Sequence, residues 1–209
     1  HGRKALRARG VVGVIAAGGT VLEILPKIDI PGVGHASPIV WGDQVFVLTA
    51  VETNRIGKET DSRDTRRRGP PTVNTQYVHR FVIYAIDRKS GEINWQQTAV
   101  ENLPHESTHP TGTWASNSPV TDGEHVYAYF GNHGLFCYNV EGKQLWKKEW
   151  PAYKTRYGWG LAASPVLHKG RLYIVTGTGL HEVNPAGWDI RSSQGNWADA
   201  TFVTTTPGY

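Results

Sequence analysis

The chain has 209 residues, enough for a substantial hydrophobic core. Its 22 basic and 18 acidic residues nearly balance, which excludes a global field that would select nucleic acid or an anionic membrane. A lone cysteine, Cys137, excludes an internal disulfide framework and a cysteine-rich zinc site, while 24 glycines and 8 tryptophans suit many tight turns closed by large aromatic plugs.

Residues 1–28 read as an irregular N-terminal segment or as the edge of a preceding repeat unit. Within them Arg3, Lys4, Arg7 and Arg9 precede a short apolar run from Val11 to Ala17, the order of charges and apolar residues found in a secretory signal. No stretch approaches the ~20 apolar residues that cross a bilayer as a helix.

From about residue 29 a pattern recurs. Ser37-Pro38, Ser118-Pro119 and Ser164-Pro165 each open one or two apolar residues, a polar turn (Gly42-Asp43, Asp122-Gly123, Lys169-Gly170) and an alternating run. The runs are Val45-Phe46-Val47-Leu48, Val126-Tyr127-Ala128-Tyr129 and Leu172-Tyr173-Ile174-Val175, which have the period of strands and not of helices. The first two units continue through Ala85-Ile86-Asp87, Gly91 and Trp95, and through Cys137-Tyr138-Asn139, Gly142 and Trp146. In the third unit Asn184 and Gly187 keep their places, but Arg191 stands at the tryptophan position.

A unit of about 40–45 residues holding four strands has the size of one propeller blade. In that geometry Asp87 and Asn139 cap a tight turn, Gly91 and Gly142 supply its positive φ, and Trp95 and Trp146 plug the space between blades. Ser-Pro starts an inner strand, where a missing N–H costs least. Cys137 sits in an alternating strand and reads as a small buried hydrophobe. The predicted fold is an all-β propeller of four-stranded antiparallel blades. It is partial, with two complete blades and one incomplete over 29–191, an insertion at 52–80, and an irregular tail at 192–209.

The arrangement from Ala85 through Trp95, followed by Ser118-Pro119 and Asp122-Gly123-x2-Val126-Tyr127, resembles the PQQ-like β-propeller repeat family. That family includes quinoprotein alcohol and sugar dehydrogenases, and also non-enzymatic propellers such as the lipoprotein of outer-membrane protein assembly. The resemblance implies work outside the cytoplasm, in the periplasm or cell envelope, and further blades in cis. The dehydrogenases hold pyrroloquinoline quinone (PQQ) under a vicinal disulfide, stack it on tryptophan and coordinate Ca²⁺ with Glu, Asn and Asp. One cysteine cannot form that disulfide. No cofactor is evident, and PQQ with Ca²⁺ belongs only to the alternative reading.

Three further features bear on function. His105-Glu106-Ser107-Thr108-His109 satisfies the His-Glu-x-x-His pattern of zinc proteases, but that chemistry needs both histidines one turn apart on a helix. Pro104 and Pro110 bracket the five residues, so the match falls in a connector between blades and is assigned no metal. The insertion carries Arg66-Arg67-Arg68 and reads as a solvated loop, with docking of an acidic partner as the functional alternative. No aromatic residues interleave with those arginines, so a nucleic-acid partner is not expected. Finally, His35, Trp114, Asn117 and Trp159 lie where each unit enters its inner strand, a place where equivalent loops converge and offer aromatic and amide groups to a ligand. The sequence reading is a non-catalytic scaffold that binds a protein or glycan partner, with a fragment of a PQQ-dependent dehydrogenase as its alternative. No catalytic residue is assigned.

Overall fold

The computed structural model describes residues 28–58, 72–155, 157–176 and 179–194, the last six by backbone alone. Three antiparallel sheets of four strands follow one another in sequence. The first holds β1 (Ile39–Trp41), β2 (Gln44–Ile56), β3 (Tyr77–Asp87) and β4 (Ile93–Asn102). The second holds β5 (Val120–Thr121), β6 (His125–Tyr129), β7 (Leu135–Asn139) and β8 (Gln144–Lys148). The third holds β9 (Val166–His168), β10 (Arg171–Thr176), β11 (Gly179–Val183) and β12 (Asp189–Gln194). Each sheet runs in simple chain order, as a propeller blade does.

Alternation explains the stacking. Successive side chains of a strand point to opposite faces, so each central strand serves two interfaces at once. Phe46, Leu48, Phe81, Ile83 and Ala85 of the first blade meet Val126, Ala128, Phe136 and Tyr138 of the second in one core cluster. The other face of the second blade sends Tyr127, Tyr129, Leu135 and Cys137 against Leu172, Ile174 and Val183 of the third. Both faces of the second blade are therefore covered, and β6 and β7 are buried almost without interruption. In β10 buried and half-buried residues alternate, because only one face of the third blade has a neighbour among the described residues. The far face of the first blade, with Val45, Val47, Val82, Tyr84 and Ile86, packs on Ile28 and Ile30. Cys137 lies fully buried, and burial pushes its thiol up to about 12.

Two expectations change. The third unit lacks its tryptophan yet still forms a fourth strand, with Arg191 paired to Glu182 where Trp146 pairs to Cys137. It is incomplete in its docking residue and not in its strands, and β12 extends to Gln194 inside the stretch read as an irregular tail. Backbone pairing needs no particular side chain, so losing the plug did not cost the strand. The insertion is also shorter as a loop than 52–80: the β2–β3 hairpin continues through Glu52↔His79 to Ile56↔Tyr77. The charged triplet Arg66, Arg67 and Arg68 lies outside the described residues.

The strand order separates two ends of the stack. The β1–β2 and β3–β4 turns and their counterparts lie at one end, the turn face. The β2–β3 and β6–β7 connections and the two inter-blade connectors, 103–119 and 149–165, lie at the other, the loop face.

Candidate functional site on the loop face

At the turn face, Asp87 Oδ1 accepts from the backbone N–H groups of Lys89 (2.9 Å) and Ser90 (2.7 Å), and Asn139 Oδ1 accepts from that of Lys143 (2.7 Å). Gly91 and Gly142 adopt φ of 77° and 91° there, a region that L side chains rarely enter. Trp95 does not plug its own blade: its indole N–H donates to Val140 O of the next one (2.9 Å), and its ring lies over Gly142. Trp146 repeats the contact one blade later, donating to Pro185 O (2.7 Å) over Gly187. The glycine thus has a second job beside its positive φ. A Cβ at 142 would stand 2.6 Å from the Trp95 ring.

Along the inner strands the Ser-Pro serines link blade to blade. The Ser37 N–H donates to Ser118 Oγ (2.9 Å), and the Ser118 N–H donates to Ser164 Oγ (2.8 Å). Asn117, 1% exposed, donates from Nδ2 to Ala163 O (2.7 Å). His35 is exposed, and its backbone N–H donates to Ala115 O (3.0 Å). Asn117 is therefore a seam residue, and neither it nor His35 lines the cavity on the loop face.

Trp114 and Trp159 do. Together with Glu106, His105, His133 and Asn132 they line a loop-face cavity of about 40 Å³, walled below by Phe81 and Phe130. The connectors build it. Pro104 keeps the 103–119 connector out of helix, and Thr108 makes an antiparallel bridge with Val73. The His-Glu-x-x-His match is thus not on a helix, and its histidines part: His105 stacks on His133 (4.3 Å between centroids), while His109 meets Trp159 edge-on at 4.8 Å. The glycine-bounded turn Gly131–His133 between β6 and β7 carries His133 inward, against Phe81 at 4.3 Å.

Glu106 ties the two connectors together. Its Oε1 accepts from the Thr155 backbone N–H (2.8 Å) and hydroxyl (3.2 Å), and its backbone carbonyl accepts from the Trp114 indole (2.9 Å). Beside it the Ser107 hydroxyl donates to Gly158 O (2.6 Å). Burial pushes the Glu106 carboxyl above its ordinary value, opposed by the Thr155 donors, the Gly160 amide and the charge of Lys154. Burial also holds His133 down to about 3, helped by repulsion from His105 and His79, and it lowers both of those imidazoles too. The loop face therefore keeps three imidazoles neutral, two of which, His105 and His133, share the cavity with the buried acid Glu106. Among the described residues no cluster of His, Cys, Asp or Glu has the form of a metal site.

The sequence brought out Trp114 and Trp159 for this site and read Glu106 only as part of a rejected zinc motif. It gave no sign of His133, Asn132 or Thr155. The one usable signal was Gly131-Asn132-His133-Gly134, a strand-to-strand turn carrying two chemistry-bearing residues where the third unit has none.

Compared with protein families, residues 27–207 match the model described as outer membrane protein assembly factor BamB. The chain belongs to this family. The BamB family is one of PQQ-like propellers, in agreement with the three stacked four-stranded blades. No curated protein sequence matches the chain. Among solved structures it is similar to BamB from Moraxella catarrhalis, with 13% identity and a TM-score of 0.40 over 79% of this chain. The chain spans about half the length of that protein, 49% of it. No described helix is long and apolar enough to cross a membrane.

Proposed function

We propose that the chain is a non-catalytic propeller scaffold of the cell envelope that docks a protein partner through its loop face. The observation that carries this reading is membership of the BamB family over nearly the whole chain. The two faces support the choice of surface. The turn face, where Trp41 and Trp188 are 52% and 70% exposed, uses its recurring residues to hold blade to blade, whereas the loop face adds a cavity lined by aromatic and polar side chains, with Tyr153 and Tyr157 beside it 44% and 45% exposed. Exposed aromatics of this kind are the side chains that anchor protein interfaces.

The dehydrogenase alternative finds little support in the described residues. A cavity of about 40 Å³ is small for a three-ring quinone, and Cys137 stands alone in a packed strand. Photo-crosslinkers placed at Tyr157 and, as control, at Lys89 on the turn face test the docking surface in cells. Crosslinks to a component of outer-membrane protein assembly from Tyr157 but not from Lys89 are expected. The same adducts from both positions, or none from Tyr157, would count against this face.

A further inference from the structure

Glu106 is 7% exposed, and its two oxygens are unequally served. Oε1 takes both Thr155 donors, while Oε2 is buried and accepts no hydrogen bond of ordinary geometry from the described residues, the Gly160 amide acting on the carboxyl only more weakly. That oxygen belongs to the one acidic side chain lining the loop-face cavity, and no described Lys or Arg lines it. A buried carboxylate oxygen without a donor is costly to keep, so the site favours whatever supplies one.

The remaining walls narrow the chemistry. Trp114 and Trp159 border the cavity, and indole faces carry the negative side of the ring quadrupole. Neutral His105 and His133 add no competing positive charge. An acceptor with negative charge, flanked by π faces in a cavity that no described cation lines, complements a compact cation bearing N–H donors. Size points the same way: about 40 Å³ holds an ammonium head and one or two waters, and one of those waters can serve the Trp159 indole N–H, which also lacks a partner. An ammonium on a thin alkyl stem fits such a space better than the broad fork of a guanidinium.

We propose that this cavity binds the ammonium head of a lysine side chain presented by a protein partner, with Glu106 Oε2 as counter-ion and Trp114 and Trp159 as aromatic walls. The proposal rests on the docking function for the source of the lysine. The chain's own Lys154 acts on the Glu106 charge from nearby, but it is exposed and does not line the cavity.

Tryptophan fluorescence of the 209-residue chain, titrated with Nα-acetyl-lysine amide, reads the site without any partner protein. A saturable change is expected, absent for the Nε-acetylated form, which has the same shape and no charge. In Glu106→Gln the affinity is expected to fall at least tenfold. An equal response to the neutral probe, or undiminished binding by Glu106→Gln, overturns the proposal. The comparison of the two probes on the unsubstituted chain stands even if the variant folds poorly. Loss of the lysine response with crosslinking from Tyr157 intact overturns the lysine pocket alone and leaves the docking surface standing.

Discussion

The two faces of the blade stack are built on different principles. At the turn face each blade repeats a capped turn and a glycine with positive φ, and in the second and third blades a tryptophan from the preceding blade lies on that glycine. Every contact there is local in its own blade or made to the next, so the device can be copied from unit to unit. At the loop face only the entrance tryptophans Trp114 and Trp159 recur. Its cavity draws on β3, the turn Gly131–His133 and two successive connectors, and it is held by buried polar groups instead of apolar plugs. Regular packing is what a fold needs from every blade; irregular polar burial is what a site needs once.

That difference can be broken apart by acid. His133, His105 and His79 all have folded pKa values below the ordinary 6.5, so the folded state holds them neutral and the unfolded chain binds protons first. Their stabilisation is present above pH 6.5 and is lost as pH falls. For His133 alone the loss runs at about 1.4 kcal/mol per pH unit, toward its folded value of about 3, or about 3 kcal/mol by pH 4. Glu106 acts with the opposite sign, because its raised carboxyl pKa makes the folded state take up a proton more readily as pH falls. Asp87 and Asp122 are held below 3.8, so the turn face keeps its charges throughout this window. Denaturant melts between pH 7 and 4 should show the decline, and His133→Phe should flatten it. An unchanged slope in that variant would mean the imidazole is not the group being charged.

The turn face breaks under a methyl group. Gly142→Ala combines a positive φ with a Cβ 2.6 Å from the Trp95 ring, and is expected to destabilise by about 3 kcal/mol. Trp95→Ala should cost a similar ~3 kcal/mol through the lost ring and the bond to Val140. The double variant sharpens the point. If the two residues form one contact, their losses fall short of additive by more than ~1 kcal/mol. Additive losses in urea unfolding would show that glycine serves its turn alone.

The legibility of the sequence follows the same division. Ser-Pro, Asp-Gly, glycine and tryptophan recur because each blade solves the same packing problem, and recurrence is what a single sequence can display. The fourth strand of the third blade was hidden because the reading relied on tryptophan, and backbone pairing survives Arg191 at that place. The ends of the long hairpin were hidden by their charges, since Glu52 pairs with His79 and Arg80 with Val51 while both charged residues face solvent. The cavity was beyond reach for a different reason. Glu106 and Thr155 are 49 residues apart, and Asn132 and Tyr153, which exchange hydrogen bonds, are 21 apart, with no periodicity to connect them. Trp114 and Trp159 were visible only because large aromatics at inner-strand entrances are conspicuous; what they face was not.

Glu106→Gln separates what the acid does for the fold from what it does in the cavity. The amide keeps an oxygen for the Thr155 N–H and no longer carries a charge into a buried place, so stability at neutral pH should change by less than ~1 kcal/mol. Glu106→Ala, which abandons the two Thr155 donors and opens space between the connectors, should cost about 2 kcal/mol. Equal losses in the two variants would make the carboxylate's charge, and not its hydrogen bonds, the tie between the connectors.

The smallest effect belongs to the seam where the two faces meet. The Ser118 Oγ receives the Ser37 N–H from the first blade, and its own N–H reaches Ser164 Oγ of the third, so one hydroxyl carries half of a link that spans all three blades. Ser118→Ala removes only the acceptor for Ser37. Because that N–H is exposed, water replaces the lost partner and the expected cost is about 0.5 kcal/mol. Amide exchange is the better instrument than a melt: the Ser37 N–H should lose protection while Ser118 N–H, still bonded to Ser164, keeps its own. Loss of protection at both would mean that the serines act as a cooperative chain, and the inner seam would then rank with the tryptophans as a determinant of blade spacing.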